Sequence, residues 1–204
     1  MKAVLISIRP EWVEKIISGE KTLEVRKTRP KLETPFKVYI YCTSGRPDLN
    51  IPISPERLMR DYLDTGSMRS LNCPLGNGKV IGEFMCDQIT WLTHTGFTGF
   101  PGNKLVAMKS YYMVNNSFDF SDSCLTIDQI EKYLDGGDGY AWHISDLKIY
   151  ETPKELPEFH TWKKCKSCSK SGYESTACIY DENCMVPVAI TKAPQSWCYV
   201  EEFE

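Results

Sequence analysis

Three charged side chains, Lys21, Glu24 and Arg26, lie within six residues of one another. In a strand that begins near Thr22, alternation places Thr22, Glu24 and Arg26 on one face. Lys21 then stands at the entrance to that face. Arginine offers a rigid fork of donors, lysine a mobile positive charge and glutamate an acceptor. The spacing therefore favours an anionic or polar ligand, although an ordinary amphipathic strand facing water has the same pattern.

His143 is a further candidate for chemistry because imidazole titrates near neutral pH. Its predicted strand carries Tyr140, Trp142 and Ile144 on one face, which leaves His143 on the other. The residue could act as a proton carrier, or as a packing and hydrogen-bonding residue.

The elements around the charged triplet follow from apolar spacing. Residues 2–8 predict a buried first strand. Pro10 suits the first turn of a helix, whose apolar stripe ends before Gly19. The stripe consists of Trp12, Val13, Ile16 and Ile17. The order strand, helix, charged strand is therefore expected at the start of the chain.

Further strands are predicted at 36–42, 79–91 and 140–149, and helices at 54–64 and 126–134. A change of phase near Ser145 and Asp146 indicates a bulge or corner in the last strand. Residues 92–121 have little periodicity and are expected to form a long excursion. Its segment 105–108 could pack down as a cover over the polar site.

Four of the nine cysteines cluster, and their spacing is typical of a metal site. They are Cys165, Cys168, Cys178 and Cys184. The surrounding residues are polar, so a structural Zn²⁺ would replace a missing apolar core. His160 could substitute for one thiol, and free or redox-active cysteines in a loop are the alternative. A zinc-stabilised insert could also bind a protein partner.

The bulk composition is that of a folded chain, with 204 residues, 42% hydrophobic and 25% charged. No apolar run approaches the roughly 20 residues of a membrane span, and no signal peptide is recognisable, so we expect a cytoplasmic protein without membrane association. The formal net charge is −3, yet residues 1–50 hold ten Lys and Arg against six acids. This distribution favours a confined anionic ligand over electrostatic coating of a duplex.

The pattern Gly19-x-Lys21-x-x-Glu24-x-Arg26 resembles the signature of the ASCH family. The segments 139–150 and 195–201 are also similar to ASCH proteins. The resemblance covers residues 1–157 and 194–204, and it implies an α+β fold. In that fold, a PUA-like small mixed β-barrel is flanked by short helices. The cysteine-rich residues 158–193 would form a zinc-knuckle-like insert before the last strand.

The resemblance also implies a function. ASCH proteins are thought to bind RNA or nucleotides beside the signature strand, here through Gly19, Lys21, Thr22, Glu24 and Arg26. A subset are hydrolases: acetylcytidine amidohydrolases of the superfamily carry a catalytic lysine, matched by Lys21, and a threonine where this chain has Glu24. Other members have been described as ribonucleases. In a hydrolase, Lys21 would act as base, Glu24 would orient water, and Arg26 and His143 would assist.

Overall fold

A computed structural model describes residues 1–65, 73–94, 105–109, 112–113, 119–164 and 185–203. Within these ranges the helices are α1 (Pro10–Ile17), α2 (Pro55–Thr65) and α3 (Ile127–Leu134). The strands are β1 (Lys2–Ile8), β2 (Leu23–Arg26), β3 (Phe36–Cys42), β4 (Val80–Cys86), β5 (Ile89–His94), β6 (Leu105–Lys109), β7 (Tyr112–Met113), β8 (Gly139–His143), β9 (Ser145–Lys154), β10 (His160–Lys164), β11 (Met185–Ala189) and β12 (Trp197–Glu201). None of the helices in the described ranges is long and apolar enough to cross a lipid bilayer.

The strands form two five-stranded sheets and one hairpin. The first sheet has the order β12-β1-β3-β4-β9, in which β1 and β3 run parallel. The second has the order β2-β8-β5-β6-β7 and is antiparallel throughout, and β10 pairs with β11. The α+β class is therefore confirmed, whereas closure of the sheets into a barrel stays a prediction.

The main core lies where the two sheets and α1 meet. Val13 and Ile16 of α1 pack in one cluster with the apolar faces of β1, β3 and β4. Trp142 of β8 and the adjacent Ile144 belong to the same cluster, and the Trp142 ring packs edge-on against Phe36. The charged strand β2 is thus tied, through its partner β8, to the centre of the molecule.

Two chain corners connect the sheets. The strand predicted over 79–91 is in fact two strands, β4 in the first sheet and β5 in the second, so that prediction was wrong about its continuity. The corner predicted near Ser145 and Asp146 is confirmed, because β8 and β9 belong to different sheets and Asp146 has φ of 48°. The sequence of a long apolar run does not show where the chain passes from one sheet to another.

The segment 105–108 is part of β6 rather than a cover over the polar site. Leu105 and Ala107 pack in a second core cluster beside β5, with Leu92. The insert predicted at 158–193 begins and ends in the core, because Phe159 and Ile190 pack together with Ala3 and Leu5. The four predicted zinc ligands lie outside the described residues.

Candidate functional site

The turn between α1 and β2 directs Lys21 into the protein. Gly19 has φ of 79°, a left-handed conformation that glycine adopts without the steric cost of a Cβ. The Lys21 amide then donates to the Lys15 carbonyl at 2.9 Å, and the Thr22 amide to the Asp122 carbonyl at 2.9 Å. These bonds fix the entrance to β2 on both sides.

Lys21, Glu24 and Arg26 form one buried ion-pair cluster. Their exposed fractions are 2%, 7% and 8%, respectively. Lys21 Nζ lies 3.2 Å from Glu24 Oε2, and Arg26 Nη2 lies 2.9 Å from Glu24 Oε1. The alternative of a solvent-facing amphipathic strand is therefore wrong, because the polar face is sheltered.

The Lys21 ammonium group is fully used within the protein. Besides Glu24, Nζ donates to the Leu23 carbonyl at 2.7 Å and to the Ser123 carbonyl at 2.8 Å. An ammonium group has three donors and no acceptor, so these three oxygens satisfy it. In this arrangement Lys21 has no free lone pair with which to remove a proton from a substrate.

Arg26 is only partly satisfied. Nη2 also donates to the Ser7 carbonyl at 2.7 Å, and Nη1 donates to Ser196 Oγ at 3.3 Å. The Nε atom is buried and has no hydrogen-bond partner among the residues that the structure describes. Buried polar groups in proteins are almost always paired, so Arg26 is the member of the cluster that keeps donor capacity in reserve.

The cluster forms one wall of an open cavity of about 940 Å³, a size typical of ligand sites. Its charged lining residues are four cations and one carboxylate: Arg9, Lys21, Arg26, Lys27 and Glu24. Hydroxyl and amide groups come from Ser7, Thr28, Thr43, Ser44, Gln129, Gln195 and Ser196. The cavity is therefore locally positive although the whole chain has a formal charge of −3.

Two lysine–aromatic pairs flank β2 at this cavity. Lys21 Nζ lies 5.7 Å from the centre of the Trp12 ring, and Lys27 Nζ lies 5.5 Å from that of Tyr133. Trp12 belongs to α1 and Tyr133 to α3, so the cavity opens between the two helices. Aromatic rings with cations beside them can hold flat ligands that carry negative charge.

Of the other predicted site residues, Thr22 is half-buried and Gly19 is exposed, and neither lines the cavity. His143 lies opposite Leu23 in the β2–β8 register, on the face of β8 away from Glu24. Its Nδ1 is 2.6 Å from Asp87 Oδ1, and both side chains are more than 40% exposed. The structure does not bring His143 together with the cluster.

Several cavity residues were missed from the sequence. Arg9 and Lys27 lie next to predicted elements without any periodic signal, and Tyr133 was expected only as part of a helix. From the sequence, the apolar stripe favours Trp12 as a core anchor, with a stacking platform for a base as the alternative. Trp12 packs against the main core and also lines the cavity.

The described buried cysteines have no nucleophilic character. Burial raises the pKa of Cys42 and that of Cys86 to about 12, so both remain thiols at neutral pH. Burial also raises the pKa of Cys198. Cys42 and Cys86 are small side chains of the main core, and the half-buried Cys198 packs against the cluster of Ala3 and Leu5.

Comparison with known proteins returns structural neighbours alone. No family model matches the chain, and no curated protein matches it. Crystal structures of the ASCH protein from Zymomonas mobilis and of two of its single-substitution variants are similar over 98–99% of this chain. The matched regions span 88–92% of the Zymomonas mobilis chains, with sequence identities of 16–17% and TM-scores of 0.47–0.48. At these values the likeness alone does not assign a function; the three neighbours carry the family name that the Gly19-to-Arg26 pattern resembles.

Proposed function

We propose that this chain is an ASCH-type module that binds single-stranded RNA or a nucleotide in the cavity beside β2. The observation that supports this most is the buried Lys21–Glu24–Arg26 cluster, which leaves Arg26 Nε unpartnered at a cavity lined by four cations. Nucleotides combine an anionic phosphate with a flat base, and the cavity offers cations and aromatic rings together.

The side chains divide into two groups by exposure. Arg9 and Lys27 are exposed at the cavity rim, where they can contact the phosphate of a ligand. Lys21 and Glu24 are buried and mutually paired, so they hold Arg26 in place and set the local potential. Arg26 lies between the two groups, because it lines the cavity and pairs with Glu24.

The geometry supports binding better than hydrolysis. A lysine base must first lose a proton, and all three Lys21 protons are engaged by oxygen atoms. Glu24 has one oxygen on Lys21 and the other on Arg26, which opposes its use in orienting water. Glu24 also stands where the similar amidohydrolases have threonine, so we do not propose that reaction.

The proposal is tested by the salt dependence of binding to a short single-stranded oligouridine. Each phosphate contact releases counterions, so the logarithm of the binding constant falls linearly with the logarithm of salt concentration. We expect Arg9→Ala and Lys27→Ala each to weaken binding and to reduce this slope by about 0.7. Lys15→Ala is the matched control, because Lys15 pairs with Glu20 outside the cavity lining.

Fluorescence anisotropy of labelled oligouridine gives both quantities. The proposal fails if the oligonucleotide does not bind at low salt. It also fails if Lys15→Ala reduces the slope as much as the rim substitutions do, since binding would then not be confined to the cavity.

We also keep the proposal of a structural zinc at Cys165, Cys168, Cys178 and Cys184, with His160 as an alternative ligand. The described residues that enter this segment are paired, with Lys164 opposite Met185 in the β10–β11 hairpin. Elemental analysis of purified protein should give one zinc per chain.

Binding of a protein partner through this segment is the remaining proposal. Deletion of residues 165–184 should abolish binding of that partner without loss of oligouridine binding.

A further inference from the structure

The outer edge of β2 lies against the cavity. β2 is the terminal strand of its sheet in the order β2-β8-β5-β6-β7. Cavity-lining residues stand on both sides of it: Glu24 and Arg26 face α1, whereas Gln129 and Tyr133 belong to α3. The cavity therefore runs along a strand edge, where no further strand of the described residues pairs with β2.

The register determines which backbone groups point outward. The Ile144 amide donates to the Thr22 carbonyl at 2.9 Å, so the Ile144 amide faces β2, whereas the Thr22 amide donates to Asp122. Backbone groups alternate in direction along a strand, so Trp142 also faces β2 and forms a hydrogen-bonded pair with Glu24. Val25 is consequently a non-hydrogen-bonded position, whose N–H and C=O both point away from β8, and Val25 is one of the residues that line the cavity.

The Val25 side chain supports this assignment. It packs with Leu23, Ile130 and Leu134 on the α3 side of the strand, in the second core cluster. With that side chain buried there, the main chain of Val25 is the part that can face the cavity. The preceding outward carbonyl, that of Leu23, is covered by Lys21 Nζ at 2.7 Å.

We propose that the amide and carbonyl of Val25 bind the Watson–Crick edge of an unpaired nucleobase. This inference rests on the proposed nucleotide binding. Each standard base presents an adjacent donor and acceptor on that edge, which match the parallel N–H and C=O of one extended residue. Binding is then tolerant of base identity and requires a free edge, so it selects single strands over duplexes.

A nucleobase fits this edge better than an added peptide strand. Strand addition needs a row of outward groups, whereas here Lys21 covers the Leu23 carbonyl and β2 is four residues long. The four cations of the lining also complement a phosphate and have no counterpart on an uncharged peptide.

The test compares uridine monophosphate with two methylated forms by NMR titration of the full chain. N3-methylation removes the donor of the edge and adds bulk there, and 5-methylation adds the same group away from the edge. We expect the N3-methyl form to bind at least tenfold more weakly and the 5-methyl form to bind within about twofold of the parent.

Amide hydrogen exchange gives a second, residue-specific readout. The Val25 amide should become protected by uridine monophosphate, whereas the Glu24 amide, which already faces β8, should not change. Val25→Pro removes this N–H at an edge position that tolerates proline, and Val25→Ala is the control that retains it. We expect binding at least tenfold weaker for Val25→Pro than for Val25→Ala.

Two results would overturn the inference and leave nucleotide binding intact: equal affinity for the parent and the N3-methyl form, or an unprotected Val25 amide in the bound state. If an uncharged tetra-alanine amide protected the Val25 amide and the nucleotide did not, the ligand of this strand edge would be a peptide and not a nucleobase. Absence of binding by every nucleotide would remove the proposed function itself.

Discussion

Two carboxylates in this protein, Glu24 and Glu83, each lie between a lysine and a second donor, but their surroundings differ. Glu24 joins Lys21 and Arg26, whose Nε remains unpartnered at the cavity. Glu83 lies 3.8 Å from Lys37 and accepts a hydrogen bond of 2.6 Å from the Tyr150 hydroxyl. The Glu24 cluster lines the cavity, whereas the Glu83 cluster contacts other parts of the protein's own chain.

The Glu83 cluster, which consists of Glu83, Lys37 and Tyr150, connects the end of the described chain to the first sheet. Lys37 also pairs with Glu202 at 3.2 Å, and the Phe203 amide donates to the Tyr39 hydroxyl at 2.6 Å. Burial opposes the charge on Lys37, but Glu202 and Glu83 outweigh it and raise the Lys37 pKa. Burial, reinforced by Glu83, also raises the pKa of Tyr150. The two clusters therefore differ in depth and position: the Glu24 cluster is more deeply buried, and it lines a cavity.

The largest expected difference between the clusters is in stability. Glu24→Gln leaves two buried cations without their shared anion, and loss of one partner of a buried pair costs about 3–5 kcal/mol. Glu83→Gln acts on side chains that are 20–23% exposed, where solvent reduces the cost to about 1 kcal/mol. Urea unfolding of both variants measures the difference. Equal losses would show that burial does not separate the two clusters.

Sequence reasoning predicted the local features that depend on short-range chemistry. The helix from Pro10 to Ile17 follows its apolar stripe, and the helix predicted over 126–134 is present and begins at a capping box of Thr126 and Gln129. The alternation that placed Glu24 and Arg26 on one face is also confirmed by their shared contacts. These features depend on residues within one or two turns of each other.

Long-range contacts could not be predicted in the same way. Ser7 and Ser196 bind Arg26 from positions 19 and 170 residues away, and no periodic pattern relates such distant residues. The Ser123 carbonyl that accepts from Lys21 lies beyond the segment expected to be an excursion. A backbone acceptor carries no side-chain signature, so its role becomes visible only once the fold is known.

A second substitution separates the contribution of the Glu83 cluster to stability from ligand binding at the cavity. Tyr150→Phe removes the hydroxyl that donates to Glu83 and retains the ring that lies beside Lys154. We expect a loss of about 1–2 kcal/mol in the free energy of unfolding, with unchanged affinity for oligouridine. Thermal unfolding and anisotropy on the same preparations measure both. A weakened affinity would couple the Glu83 cluster to the cavity and contradict the division drawn above.

The smallest expected effect concerns the exposed pair of His143 and Asp87. The hydrogen bond from His143 lowers the pKa of Asp87 against a small effect of burial. A lowered folded-state pKa contributes stability above the ordinary aspartate pKa of about 4, and this contribution is lost as pH falls through the lowered value.

Because both side chains are more than 40% exposed, we expect Asp87→Asn to cost less than about 0.5 kcal/mol at pH 6. The difference from the parent protein should vanish near pH 2. Unfolding free energies measured between these pH values test this. A difference that grows toward low pH would reverse the assigned direction.

The most direct test of the central claim is a crystal structure of the chain grown with a short oligouridine. We expect a base at the edge of β2 beside Val25, between the sides formed by Trp12 and Tyr133, with its phosphate near Arg9 and Lys27. An oligonucleotide bound on another surface while the cavity beside β2 holds no nucleotide would contradict the account.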